Sequence, residues 1–271
     1  MDAVTCRTCG VQHATVAGRP PSHCAVCEDE RQYVGWDGQE WLGLEELAAT
    51  HRAEIREEEP KLLGIGMTPS FAIGQRALLI RTGGGNILWD CIPLLDEVIV
   101  AAVRAAGGIA AIAVSHPHFY SSMVEWARRF DAPVLIHEDD HRWVMRPDRC
   151  IEAWRGETLR LHDDIAIIRC GGHFPGAAVL HWPAGADGRG ALLVSDTIMV
   201  ARDRRHVSFM RSYPNLIPLD AHAVRRIVDA VAPFRFDRMW SGWWSSQISD
   251  DAEASLRVSA ERYLRAIGGT S

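Results

Sequence analysis

The stretch Ser115-His-Pro-His-Phe-Tyr-Ser-Ser-Met-Val-Glu-Trp126 follows the apolar run Ile109-Ala-Ala-Ile-Ala-Val114 and leads into a helical pattern. The run predicts a buried strand, so the two histidines stand where that strand ends. Imidazoles two residues apart, with a proline holding the chain extended between them, can converge on one metal ion if the loop curves. His116 and His118 are therefore candidate metal ligands, with a polar turn as the alternative.

Two more polar side chains occupy similar positions later in the chain. The segment Cys170-Gly-Gly-His-Phe-Pro-Gly176 places His173 in a sharp turn between two predicted strands. Leu192-Leu-Val-Ser-Asp196 ends a buried strand on a carboxylate. A lone histidine or a strand-end aspartate is usually structural, but the shared placement at strand ends favours a common site.

Short apolar runs that alternate with turn signals predict strands from residue 62 onward. Ser122, followed by Glu125 three positions later, predicts a capping box at the start of a helix. Apolar residues at helical spacing predict three further helices, at residues 94–106, 220–231 and 251–267.

The order of these motifs resembles that of the metallo-beta-lactamase fold superfamily over about residues 61–267. The resemblance also includes Leu88-Trp-Asp90 and a late glycine in Met239-Trp-Ser-Gly242. It implies an α/β fold, namely the four-layer αββα sandwich of that family. Carried over by position, it implies that the metal ligands are His116, His118, His173 and Asp196.

The chain departs from the family pattern at three positions. The family motif H-x-H-x-D-H has aspartate and histidine where this chain has Tyr120 and Ser121, and the last family histidine is replaced by Trp243. A second metal ion would lose these three ligands. The resemblance therefore implies one catalytic metal.

Three imidazoles with Asp196 nearby suit a zinc ion that activates bound water, which predicts hydrolysis of an ester, thioester or related bond. Asp196 is the candidate general base if it is not itself a ligand. Tyr120 suits a hydrogen-bond donor better than a base, because a tyrosine has a pKa of about 10. Alternatively, His116, His173 and Asp196 form the iron site of an oxygenase, as in the persulfide dioxygenases that resemble this fold. The third possibility is a non-catalytic protein that binds a partner and no metal in this cleft.

The first 42 residues carry two cysteine pairs, Cys6-Arg-Thr-Cys9 and Cys24-Ala-Val-Cys27. Two such pairs are typical of a zinc ribbon, in which four thiolates hold one structural zinc ion tetrahedrally. Redox-active or labile thiols and unpaired core cysteines are the alternatives. We predict a zinc ribbon over residues 1–42, an acidic connecting helix over 43–60 that Pro60 ends, and the metallo-beta-lactamase-like domain over 61–271.

The 271 residues carry a formal net charge of −6, and 47% of them are hydrophobic. This composition predicts a globular protein without general attraction to nucleic acid. The N-terminus lacks the apolar core of a secretion signal, which predicts a cytoplasmic protein that does not span a membrane. We expect a small-molecule substrate and protein contact through the ribbon, and the arginine-rich loop 200–214 favours an anionic substrate. The candidate substrate-binding residues are Arg211, Tyr213 and Trp243.

Overall fold

The computed structural model describes residues 3–268, which cluster into two compact units. The first unit runs to Ile136 and includes Asp140–Ala153. The second unit comprises His137–Asp139 and the chain from Trp154 onward. The predicted ribbon therefore belongs to the same compact unit as the His-Pro-His stretch.

The first unit contains ten strands and four helices, in this order: β1 Ala3–Cys6, β2 Gln12–Ala14, α1 Ala25–Glu28, β3 Trp41–Leu42, α2 Leu44–Thr50, β4 Arg52–Glu59, β5 Leu62–Thr68, β6 Ala77–Ile80, β7 Ile87–Trp89, α3 Glu97–Ala105, β8 Ala111–Ala113, α4 Met123–Phe130, β9 Val134–His137 and β10 Ile151–Trp154. The last residue of β9 and of β10 falls in the second unit. β2, β1 and β3 form a three-stranded sheet, whereas β4 to β10 form a seven-stranded sheet in chain order.

The centre of the seven-stranded sheet is apolar on both faces. Every residue of β6 and β7 is buried, as expected of strands covered on both sides. Neighbours from β4 to β7 are antiparallel, and β8 lies parallel to both β7 and β9. This parallel arrangement brings the ends of β7 and β8 together, so the chain after β8 enters the His-Pro-His stretch beside Asp90.

The predicted connecting helix is shorter than expected, because only α2 is helical. Arg52–Glu59 forms β4 instead and pairs with β5, beginning with Arg52 opposite Thr68. Helix propensities differ by only a few tenths of a kcal/mol per residue, so pairing along a neighbouring strand overrides them. An edge strand also tolerates charged side chains well. The helix prediction is wrong over these eight residues, while the predicted boundaries after residues 42 and 60 stay a prediction.

The predicted capping box is also wrong, although Ser122 does occupy the N-cap position of α4. Its hydroxyl donates to the Ile92 carbonyl oxygen at 2.9 Å and makes no cap hydrogen bond. The Glu125 carboxylate accepts from the buried guanidinium of Arg146. Both side chains thus bind partners that are distant in sequence, which the local pattern could not indicate.

The second unit contains ten strands and three helices, in this order: β11 Thr158–Arg160, β12 Ala166–Arg169, β13 Ala178–Trp182, α5 Gly185–Gly188, β14 Ala191–Leu193, β15 Met199–Val200, β16 Val207–Ser208, β17 Met210–Ser212, β18 Ile217–Pro218, α6 Ala221–Val231, β19 Arg238–Trp240, β20 Gln247–Ile248 and α7 Ala252–Ala266. Its main sheet has the order β11-β12-β13-β14-β19-β20, with β14 and β19 parallel.

The core of the second unit lies between this sheet and the helices α6 and α7. The Asp220 carboxylate caps α6 by accepting from the Ala223 amide at 2.8 Å. Val224, Ile227 and Val231 then point from one face of α6 into the core, as the predicted helical spacing requires. The strand ends that carry His173 and Asp196 rest on this packed layer.

No helix within residues 3–268 is long and apolar enough to cross a lipid bilayer.

Candidate metal centres

The four cysteines of the N-terminal module converge on one point. Cys6 ends β1, Cys9 follows in a tight turn, and Cys24 and Cys27 lie at the start and inside of α1. The Sγ atoms of Cys6 and Cys27 are 3.5 Å apart, and those of Cys9 and Cys24 are 3.7 Å apart. Four sulfurs at about 2.3 Å from a tetrahedral zinc ion would be about 3.8 Å apart. All four thiols are free and buried, so the arrangement fits a structural metal site.

Polar groups next to the sulfurs complete this centre. The Nε2 atom of His13 lies 3.3 Å from the Sγ atom of Cys24, and the Gln39 amide donates to Cys6 Sγ at 3.3 Å. Hydrogen bonds from the other three thiols, Cys27 first, lower the pKa of Cys24, and the bond with His13 acts in the same direction. A thiolate is the form that binds metal. His13 therefore supports a ligand and is not needed as one.

The loop that carries His116 and His118 is held by the end of the neighbouring strand. Asp90, directly after β7, is buried and accepts a hydrogen bond from the Ser115 amide through Oδ1 at 2.8 Å. The Oγ atom of Ser115 lies 3.0 Å from Nδ1 of His116. A proton on Nδ1 shared with this oxygen leaves the Nε2 lone pair for a metal. The sequence marks Asp90 only through the family resemblance, and no sequence pattern indicates Ser115 as a partner of His116.

His118 lies in a single 3₁₀ turn formed by Pro117–Phe119. The proline occupies the first position of this turn, where its missing N–H costs nothing. The rings of His116 and His118 are 5.3 Å apart between centroids, and both residues are buried. The loop therefore curves as the sequence argument required.

Tyr120 follows the 3₁₀ turn and is buried. Its hydroxyl donates to the backbone oxygen of Asp140 at 3.2 Å. Burial raises the pKa of Tyr120 well above 10, and the charge of Asp140 acts in the same direction. Its phenol is thus neutral near neutral pH, which fits the predicted donor character.

The second unit presents His173 and Asp196. His173 follows Gly172, whose positive φ of 78° favours glycine and where a Cβ atom would lie 2.9 Å from the Leu219 side chain. The Nδ1 atom of His173 lies 2.9 Å from the carbonyl oxygen of Met210, so a proton on Nδ1 orients Nε2 as the ligand atom. This Nε2 atom is 3.8 Å from Oδ2 of Asp196. Two ligands that share an ion at about 2.1 Å can be at most about 4.2 Å apart, so this pair fits one ion.

The predicted substrate-binding residues lie in different surroundings. The Tyr213 hydroxyl is 3.2 Å from the backbone oxygens of both Asp196 and Ser208. Burial, followed by the charge of Asp196, raises the pKa of Tyr213 well above 10. Arg211 is half-buried in β17, and Trp243 is half-buried in the turn between β19 and β20. Their part in substrate binding stays a prediction.

The four predicted ligands fall into two buried pairs, one in each unit. His116 and His118 belong to the first unit, and His173 and Asp196 belong to the second. Three neutral imidazoles and one carboxylate are a donor set that suits Zn²⁺ or Fe²⁺. A buried carboxylate also requires positive charge beside it, which a divalent ion supplies. The residues present therefore fit a metal ion.

Comparison with solved structures places the chain in a known fold. It matches the DIM-1 metallo-beta-lactamase at a TM-score of 0.58 with 14% identity, covering 78% of this chain and 97% of that one. A metallo-beta-lactamase from Cronobacter sakazakii with a HARLDQ motif matches at 0.54 with 16% identity, covering 82% and 95%. A B3 metallo-beta-lactamase with an active-site glutamic acid matches at 0.52 with 18% identity, covering 81% and 89%. The fold predicted from the motif order is confirmed.

Comparison of sequences adds one relative that covers almost the whole chain. No family model matches. The uncharacterized protein YmaE of Bacillus subtilis (strain 168) is 48% identical over 264 residues, which span 97% of this chain and 96% of that protein. The chain therefore belongs to the same family as YmaE, and this family has the metallo-beta-lactamase fold.

Proposed function

We propose that the protein is a metal-dependent hydrolase that acts on an ester, thioester or related bond of a small molecule. The observation that carries this proposal is that buried metal-binding side chains stand at four positions of the family motif, namely His116 and His118 in the first unit and His173 and Asp196, 3.8 Å apart, in the second. We further propose that a single metal ion binds at these residues and that a structural zinc ion binds in the ribbon. The replacement of the remaining family ligands by Tyr120, Ser121 and Trp243 supports the choice of one ion.

His116, His118 and His173 would hold the ion as neutral ligands. Ser115 and the Met210 carbonyl oxygen orient two of these rings through their Nδ1 atoms. When bound, a zinc ion acts as a Lewis acid and lowers the pKa of a coordinated water to about 7. The positive charge that activates the water would come from the ion, so the three histidines need none of their own.

Asp196 is the proposed acceptor of the proton that the attacking water loses. Asp196 is buried, and its backbone oxygen accepts a hydrogen bond from the Tyr213 hydroxyl. Tyr120 is a poor candidate for this role, because its hydroxyl already donates a hydrogen bond to the Asp140 backbone oxygen. We therefore assign the base to Asp196 and a donor or packing role to Tyr120. Arg211 remains the proposed contact for an anionic part of the substrate.

Elemental analysis of the purified chain tests the two sites. We expect about two metal ions per chain, one in each site. Cys6→Ala should remove one ion, whereas His116→Ala and His173→Ala should each remove the other. His222→Ala is the matched control, because His222 is exposed on α6 and its loss should leave both ions in place. Unchanged metal content in both His116→Ala and His173→Ala would show that the site is assigned wrongly.

The identity of the second metal tests the reaction class. Zinc at both sites, together with cleavage of chromogenic ester or thioester substrates that is lost in Asp196→Asn, would support the hydrolase. Zinc in the ribbon with iron at His116, His173 and Asp196 would instead support the oxygenase, which needs only these three ligands. A single ion that only Cys6→Ala removes would support a non-catalytic protein.

We also propose a cytoplasmic location. All seven cysteines are free thiols, and a reducing compartment keeps such thiols available for metal.

A further inference from the structure

The N-terminal module is attached to the loop that carries the metal-binding histidines, and the attachment point is Ser121. The Gln12 amide, at the start of β2, donates to the Ser121 carbonyl oxygen at 3.0 Å. The Ser121 hydroxyl lies 3.5 Å from the Gly10 carbonyl oxygen and accepts from the Gln75 amide at 3.3 Å. Ser121 is three residues from His118, so these contacts bear directly on the His-Pro-His loop.

Ser121 has a backbone conformation that is uncommon for residues other than glycine. Its φ of 48° lies in the left-handed region. Gln12 binds its backbone, and Gly10 and Gln75 contact its side chain. Ser121 also stands where the family has a ligand of the second metal. A position used for metal binding elsewhere is here a contact with the ribbon.

The contacting segment belongs to the first cysteine knuckle. The Gly10 amide donates to the Cys6 carbonyl oxygen at 2.9 Å, and the Cys6 amide donates to Val11 at 3.0 Å. Gly10 has a φ of 79°, and a Cβ atom there would lie 3.1 Å from both Ala72 and Pro93. The knuckle therefore fits tightly against the rest of the first unit. Two of the four thiols at the proposed metal site, those of Cys6 and Cys9, belong to this knuckle.

A second contact extends the attachment to the helix after the loop. The buried guanidinium of Arg146 donates both to the Gln12 side-chain oxygen and to the Glu125 carboxylate on α4. The Ala14 amide donates to the Met145 carbonyl oxygen at 3.1 Å. β2 thus contacts the His-Pro-His loop at Ser121 and, through Arg146, the helix that follows it.

We propose that the zinc ribbon is a positioning module for the second metal site, acting on His116 and His118 through Gln12 and Ser121. Loss of metal from the cysteines loosens the first knuckle, releases Ser121 from its left-handed conformation and displaces the loop. The affinity of the histidine site for metal then falls. This inference rests on the proposed metal site, but the mechanical coupling can be measured without it.

Hydrogen–deuterium exchange of residues 115–123 measures the coupling. Cys27→Ser removes a ligand in the second knuckle and leaves Gly10, Gln12 and Ser121 unchanged. We expect this variant to lose the ribbon metal and to exchange about tenfold faster in this segment, because its amides would open more often. Trp36→Ala is the control, since Trp36 lies in the ribbon with its side chain fully exposed. Loss of the ribbon metal with exchange as in the wild type would overturn the proposal.

Zinc and cobalt titrations measure the effect on the second site. Partners that orient ligands typically change metal affinity by about 10- to 100-fold, and we expect a decrease of that order in Cys27→Ser. Ser121→Ala and Gly10→Ala should keep the ribbon metal and weaken the second site in the same direction. These two variants decide the matter if Cys27→Ser unfolds, which faster exchange in β13 of the other unit would reveal. Wild-type affinity and wild-type exchange in both would overturn the proposal.

The same measurements separate this inference from the proposed function. If His116→Ala has the same metal content as the wild type, the proposed second site is wrong. Exchange of residues 115–123 would then still respond to the ribbon metal if the attachment acts as described. If His116→Ala removes a metal but Cys27→Ser leaves both the exchange and the affinity unchanged, only the positioning role is wrong.

Discussion

At the scale of single residues, Tyr120 and Ser121 stand at two metal-binding positions of the family motif that the chain resembles. The Tyr120 hydroxyl donates to the Asp140 backbone oxygen, and Ser121 binds the N-terminal module. His116, His118, His173 and Asp196 are retained and buried. Neither a buried phenol nor a serine hydroxyl is a good ligand for zinc, so these two replacements disfavour a second metal ion.

His181 on β13 gives a pH-dependent prediction at this scale. Burial lowers its pKa below the usual 6.5, and its Nε2 atom lies 2.8 Å from the Arg235 carbonyl oxygen. Above pH 6.5 the histidine is neutral in both the folded and the unfolded chain. As the pH falls below 6.5, His181 takes up a proton in the unfolded chain before it does so in the folded chain. Its contribution to stability is therefore lost as the pH falls from 6.5 through the lower pKa of the folded state.

We therefore expect His181→Gln to lose less stability than the wild type between pH 7.5 and pH 5.5. Chemical denaturation at the two values measures the free energy of unfolding. Glutamine can still donate to Arg235, and His222→Gln is the exposed control that should follow the wild type. An identical pH dependence in His181→Gln and the wild type would contradict the assignment.

At the scale of elements, caps and strand pairing decide what propensity leaves open. Asp220 and Ser122 both occupy N-cap positions, but only the side chain of Asp220 accepts a hydrogen bond from the helix that follows. Asp220→Ala should lower the free energy of unfolding by about 1 kcal/mol, whereas Asp220→Ser should retain most of it, since serine also caps. Urea denaturation measures both variants. Equal losses in the two variants would show that the cap does not stabilise α6.

At the scale of the whole molecule, metal binding and folding should be one process. Ribbons of four cysteines depend on their metal for stability. The metal binds the folded site, and the unfolded chain has no such site, so the free energy of binding stabilises the fold. A strong chelator should therefore lower the melting temperature by at least about 5 °C, which corresponds to about 2 to 3 kcal/mol for a chain of this size. The double variant Cys27→Ser, His116→Ala should melt alike with and without chelator. A wild type that melts alike in both conditions would contradict a structural role for metal.

The sequence by itself determined the fold, because the fold family is recognised from the order and spacing of its motifs, and both can be seen in the linear sequence. Cysteine spacing indicated one compact site, and the histidines and aspartate at strand ends indicated another. Helix α6 and its cap followed from apolar spacing and Asp220 alone. Each single motif is read from neighbours within a few residues, and the order of the motifs along the chain then indicates the fold.

Only the tertiary structure decided which partners the remaining side chains have. The Ser122 hydroxyl donates to the Ile92 carbonyl oxygen and does not cap its helix. Arg52–Glu59 forms a strand because it pairs with β5. The bond from Gln12 to Ser121 joins residues more than a hundred positions apart. No local pattern marks such a contact, because its energy arises only after the chain has folded and both groups have left water.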